Sequence, residues 1–167
     1  MKVFSLLFAI TLLLPLSVQA QQPLFTILFL GDSLTEGYGL DDGQSFPDLI
    51  ARRYKEEGRN NIQVVNGGVS GSTSASALTR LQWYIRSKPN LMVLALGAND
   101  GLRGLSVPEM KANLSKTIEF AQANGVKVVL AGMQIPPNYG PAYTSNFAQV
   151  FPDLAEKYQL DYLPFLL

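Results

Sequence analysis

Five short apolar runs punctuate the chain, at residues 24–30, 62–66, 91–96, 126–131 and, more weakly, 160–165. None alternates polar with apolar positions, so each reads as a strand covered on both faces, the habit of a parallel sheet. Helical stripes fill the intervals. Phe46, Leu49, Ile50 and Tyr54 share one face, with Ser45 as N-cap and Asp48 completing a capping box. Leu78, Leu81 and Ile85 form a second stripe, ended by Lys88-Pro89. Met110, Leu114, Ile118 and Ala121 form a third, opened by Pro108 and closed by Asn124-Gly125. A fourth runs through Phe147, Val150 or Phe151, Leu154 and Tyr158, with Pro152 early in it or inside it.

Strand–helix–strand repetition demands parallel neighbours and right-handed crossovers. The pattern predicts one three-layer α/β/α domain over residues 21–167, with a flavodoxin-like parallel sheet of order 2-1-3-4-5. Leu166-Leu167 comes just after the fifth run, so the final covering helix is expected to be missing from these residues. One apolar sheet face is then expected to lie uncovered, with a tendency to aggregate.

The first 20 residues read as an export signal: Lys2 is the basic end, residues 3–14 the apolar stretch, and Val18-Gln19-Ala20 a small-x-small cleavage site. The alternative, an N-terminal membrane anchor, fits less well, because the run is short and Pro15 interrupts it. The expected product is a periplasmic or secreted protein with no stable membrane anchor. Lys+Arg and Asp+Glu both number 13, so no basic face invites nucleic acid. The chain has neither Cys nor His, which removes disulfides, thiolate chemistry and the usual zinc sites; no cofactor is implied.

The polar and glycine-rich positions fall after successive strands. Gly31-Asp32-Ser33-Leu34 follows the first, Asn66-Gly67-Gly68-Val69-Ser70-Gly71 the second, and Gly97-Ala98-Asn99-Asp100 the third. In a 2-1-3 order these loops are adjacent, at the end of the sheet where open α/β folds bind ligands. Each alone is an ordinary turn or flexible connection. Together they offer a set for acyl transfer: the Ser33 hydroxyl as nucleophile, with the Ser33 amide, a glycine amide of the second loop and the Asn99 carboxamide as oxyanion donors. The spacing does not choose among Gly67, Gly68 and Gly71.

This combination resembles the SGNH, or GDSL, hydrolase superfamily, nearest its periplasmic thioesterase, lysophospholipase and arylesterase branch. The carrying blocks are Phe29-Leu30-Gly31-Asp32-Ser33-Leu34-Thr35-Glu36-Gly37-Tyr38, Val64-Val65-Asn66 leading to Ser70-Gly71-Ser72-Thr73, Leu96-Gly97-Ala98-Asn99-Asp100-Gly101-Leu102-Arg103-Gly104 and Gln134-Ile135-Pro136-Pro137-Asn138-Tyr139-Gly140. The resemblance implies Ser33 as nucleophile, Gly71 as oxyanion amide and Asn99 as oxyanion carboxamide. It implies small acyl or aryl esters, thioesters and lysophospholipids as substrates. Asp32 and Asp100 read as turn organisers rather than catalytic acids. Residues 134–143 read equally as a pocket wall or a stiff surface loop. Trp83 and Tyr84 read as core. Asn113-Leu114-Ser115 matches a glycosylation acceptor, but on a helix it carries little weight.

The family's remaining element is an Asp-x-x-His block after the fifth strand. Without a base, a serine hydroxyl is a weak nucleophile. A triad enzyme stripped of its members keeps roughly 10³–10⁴-fold acceleration from the oxyanion hole and binding. Three explanations compete: a chain cut short of that block, a degenerate acyl- or glycan-binding module, or another base such as Asp100 or a lysine. The first accounts for the missing base and the missing helix together, and is the expectation here.

Overall fold

The computed structural model describes residues 22–166. The proposed export signal lies outside the described residues. The chain runs β1 (Phe25–Gly31), α1 (Ser33–Glu36), α2 (Phe46–Glu56), β2 (Ile62–Gly68), α3 (Ala77–Tyr84), β3 (Leu91–Ala95), α4 (Ala98–Leu102), α5 (Val107–Ala123), β4 (Lys127–Ala131), α6 (Pro141–Tyr158) and β5 (Asp161–Leu163). All five strands are parallel and lie in the order β2-β1-β3-β4-β5.

The capping box read from the sequence at Ser45 and Asp48 opens α2. Ser45 Oγ accepts the Asp48 N–H at 3.3 Å and donates to the Asp48 carboxylate at 2.5 Å. Ser106 caps α5, with Pro108 in the first turn. Pro152 lies inside α6 and removes the bond its amide would make one turn back, at a cost of about 3 kcal/mol. Four aromatic and aliphatic anchors of α6 offset that cost: Phe147, Val150, Phe151 and Leu154 are buried. α6 also begins at Pro141, so the end of the segment read as a loop is helical.

The two sheet faces are unequal. Leu28, Met92 and Val128 are register partners, as are Leu30, Leu94 and Leu130, and all six join one core cluster with residues of α3, α5 and α6. On the other face Phe29 meets Phe46 of α2 edge to face at 5.4 Å. Further along that face, Val93 and Val129 are only half-buried, and Leu163 is 41% exposed. The incompletely covered face expected from the sequence is therefore present. Trp83 departs from expectation: it is 63% exposed, because the buried stripe of α3 runs through Ala77 and Leu81. Tyr84 does pack against the core, and the Trp83 ring rests edge-on against it at 4.8 Å.

Candidate active site

Ser33 is the first residue of α1 and follows Asp32, which is 1% exposed. Asp32 Oδ1 accepts the Leu34 N–H at 3.1 Å, so the aspartate is the helix cap and turn organiser read from the sequence. Bare backbone lets this turn sit where it does. A Cβ on Gly31 would stand 1.8 Å from Thr35 Oγ1, and one on Gly68 would stand 2.1 Å from the Glu36 nitrogen. The strand ends of β1 and β2 are thus the floor on which α1 rests.

Hydrogen bonds lace the three loops together. The Val69 N–H donates to the Gly31 carbonyl at 3.2 Å. The Ser70 N–H donates to the Glu36 carboxylate at 2.8 Å, and the Ser70 hydroxyl donates to the same oxygen. The Asn99 carboxamide donates to the Ser72 carbonyl at 3.0 Å. Asp100 accepts the Ser74 N–H at 2.8 Å and the Ser74 hydroxyl at 2.6 Å, and Asn113 donates to that hydroxyl at 3.2 Å. Asp100 is a structural anchor with both oxygens engaged, and Asn113 serves this network.

The three glycines left open by sequence differ in place. Gly67 and Gly68 are the last residues of β2 and pair with Leu30 and Gly31. Gly71 lies beyond the strand, exposed, at φ +74°, where a side chain is disfavoured. Its carbonyl accepts from Arg103 Nη2 at 3.0 Å. Among the described residues, the N–H groups of Ser33 and Gly71 and the Ser33 hydroxyl have no hydrogen-bond partner. Asn99 retains a second amide hydrogen beyond the one given to Ser72.

Electrostatics centre on Asp32. Burial pushes its carboxyl above the ordinary carboxylate range; the Leu34 N–H and the Arg80 guanidinium oppose the rise, and Asp100 adds to it. Arg80 escaped the sequence reading. It reaches from α3 to donate to the Gly31 carbonyl at 2.9 Å and to the Gly67 carbonyl. Its signal was legible in principle, since an arginine three residues after Ala77 and four before Tyr84 falls on the buried face of that helix.

Residues 134–143 pack onto the loop after β3 rather than standing free. Ile135 is buried, Tyr139 Oη donates to the Leu102 carbonyl at 2.9 Å, and Tyr143 Oη donates to the Leu105 carbonyl at 2.7 Å. On the other side of the turn a groove is lined by Glu36, Tyr38, Leu40, Asp41, Ser45 and Ser70. Among the described residues, no group of three or more acidic side chains is placed to hold a metal ion, and no helix is long and apolar enough to cross a membrane.

Residues 29–167 match the model of the GDSL-like Lipase/Acylhydrolase family. The chain is 41% identical to Esterase TesA of Pseudomonas aeruginosa, over 85% of its own length and 71% of that protein. It is 40% identical to an arylesterase of Vibrio mimicus, over 89% of its length and 74% of that protein. It is 32% identical to the Thioesterase 1/protease 1/lysophospholipase L1 of Escherichia coli K12, over 85% of its length and 67% of that protein. Among solved structures, AlinE4, an SGNH-hydrolase family esterase, superposes with a TM-score of 0.81 at 41% identity, over 87% of this chain and 78% of that one. Fold, motif order and these likenesses agree: the chain belongs to the GDSL-like lipase/acylhydrolase family, and by family it is an ester hydrolase.

Proposed function

We propose that this protein hydrolyses small acyl or aryl esters, thioesters and lysophospholipids through a covalent acyl-serine, after export directed by residues 1–20. The Ser33 oxygen attacks the acyl carbon. The carbonyl oxygen becomes an oxyanion held by the Ser33 and Gly71 amides and the Asn99 carboxamide. The alcohol or thiol leaves with a proton, and water then attacks the acyl-serine to release the acid. The observation that supports this reading is that, among the described residues, two N–H groups, one amide hydrogen and the Ser33 hydroxyl are without a partner on three segments that hydrogen bonds join together.

The 167 residues contain no histidine. Asp100, the carboxylate considered as a substitute base, is engaged by Ser74 through both oxygens. On this reading, the 167-residue chain alone is nearly inactive for lack of a base, and the donors remain ready for one.

Supplied imidazole tests this directly. Hydrolysis of p-nitrophenyl acetate is followed with and without added imidazole, for the chain and for Ser33→Ala. A rate gained over imidazole alone, and lost in Ser33→Ala, supports the reading. An equal gain in both proteins overturns it. A fluorophosphonate probe in the same solution should mark Ser33 and leave Ser33→Ala unmarked.

A further inference from the structure

We propose that Arg80 is a positioning residue of this site: its guanidinium clamps the carboxyl ends of β1 and β2 and places a positive charge one peptide from the Asp32 cap that precedes Ser33. The role rests on Ser33 being the reacting group, but its geometry stands apart from any chemistry. One nitrogen, Nη2, donates to two carbonyls on neighbouring strands, Gly31 and Gly67. Gly31 is the residue before Asp32, so the clamp sits one peptide from the cap.

The other guanidinium nitrogens, Nε and Nη1, are buried without a hydrogen-bond partner, and so is Asp32 Oδ2. No ion pair within 4.0 Å joins the two side chains. Both groups thus hold polar atoms out of water without a partner, and the Gly31 carbonyl that Arg80 binds lies one peptide from Asp32. The arrangement has a direct use at an acyl-transfer site. A lone buried carboxylate next to Ser33 would repel the oxyanion. A protonated one would accept the Leu34 N–H more weakly and loosen the turn. A neighbouring positive charge favours the ionised cap while offsetting its field. The other charged or titratable groups that bear on the pair are Asp100 of α4, Glu36 of α1 and Tyr84 of α3. None of these is positively charged.

Carbon and nitrogen resonances of the isotope-labelled full chain test the role. In the wild-type chain, Asp32 Cγ, Arg80 Nε and the Ser33 amide are expected to titrate with one shared midpoint, and Asp32→Asn should abolish the Arg80 response. Arg80→Gln should raise the Asp32 midpoint by about half a pH unit or more. Arg80→Lys should restore the midpoint while still shifting the Gly31 and Gly67 carbonyl carbons, because a lysine keeps the charge and not the fork. A purely structural arginine would leave the Asp32 midpoint where it is. An unchanged midpoint in folded Arg80→Gln overturns the role. So does an Arg80 resonance indifferent to Asp32 titration in the wild-type chain, a measurement that needs no variant to fold. Neither outcome touches the Ser33 reading, which stands or falls on the imidazole experiment.

Discussion

The Asn99 carboxamide donates to the Ser72 carbonyl at 3.0 Å, tying the loop after β3 to the loop after β2. One bond thereby aims the side chain proposed to receive the oxyanion and fixes the residue directly after Gly71. Two substitutions at Asn99 separate these effects. Asn99→Ala should slow the imidazole-supported, Ser33-dependent reaction by roughly 10²–10³-fold, the usual effect of losing one oxyanion donor. Asn99→Asp should be the less stable of the two in a urea melt, since it sets a carboxylate against a carbonyl oxygen in place of a bond. Equal rates for Asn99→Ala and wild type would remove Asn99 from the site.

Gly71 and Gly68 should both lose stability to a single methyl group, for different reasons and by different amounts. At Gly71 the added Cβ meets only Arg103 Nη2 at 3.3 Å, but φ is +74°. Gly71→Ala should lose about 1–2 kcal/mol for left-handed backbone and a larger share of its rate. At Gly68 the Cβ falls 2.1 Å from a backbone nitrogen of α1. Gly68→Ala should lose roughly 3 kcal/mol or fail to fold, as overpacking against backbone does. Urea melts of both variants, with rates for whichever fold, check the contrast.

Stability should depend on pH through Asp32 in a sense opposite to that of an ordinary paired carboxylate. Burial raises its folded value above the ordinary 3.8, so the native state holds this proton more tightly than the unfolded chain does. Its favourable contribution is complete below about pH 3.8 and disappears as pH rises through the folded value. Asp32→Asn keeps a side-chain oxygen for the cap and cannot ionise. The variant's melting temperature relative to wild type should therefore be higher at pH 7 than at pH 3.5. A difference that stays constant across that range would contradict the assignment.

The network around Ser74 should be cooperative. Ser74→Ala removes the hydroxyl bonds from Asp100 and Asn113 together and leaves a buried carboxylate oxygen short of a donor. A loss of about 2 kcal/mol is expected, and Asn113→Ala in the Ser74→Ala background should add less than it does alone. A thermal or urea double-mutant cycle measures the coupling, and strict additivity would show that the bonds are independent.

Much of this fold was legible because burial writes itself into residue type. Apolar runs marked β1 and β3, and the Ser45 cap and the first-turn Pro108 marked where helices begin. Trp83 misled because an aromatic beside a buried stripe need not be on it: the side-chain direction of one helical position decides, and apolar character does not. The beginning of α6 was obscured by Pro136, Pro137 and Pro141, since proline marks turns and first helical positions alike. Glu36 and Arg103 went unread for a different reason. Each acts through backbone carbonyls or amides far away in sequence, and such partners leave no trace in residue identity.

The floor under α1 leaves the two sides of the candidate site built differently, one packed on the sheet and one exposed to solvent. Ser33 rides on a turn pressed against two strand ends, so its position follows the sheet. Gly71 lies in an exposed bend whose flanks are tied by Glu36 to Ser70 and by Asn99 to Ser72, and whose own carbonyl accepts from the surface residue Arg103. On the proposed reading, room for a bulkier acyl group is easier to gain at the exposed bend than at the buried turn, so engineering of breadth belongs at Arg103 and residues 69–72 rather than around Ser33.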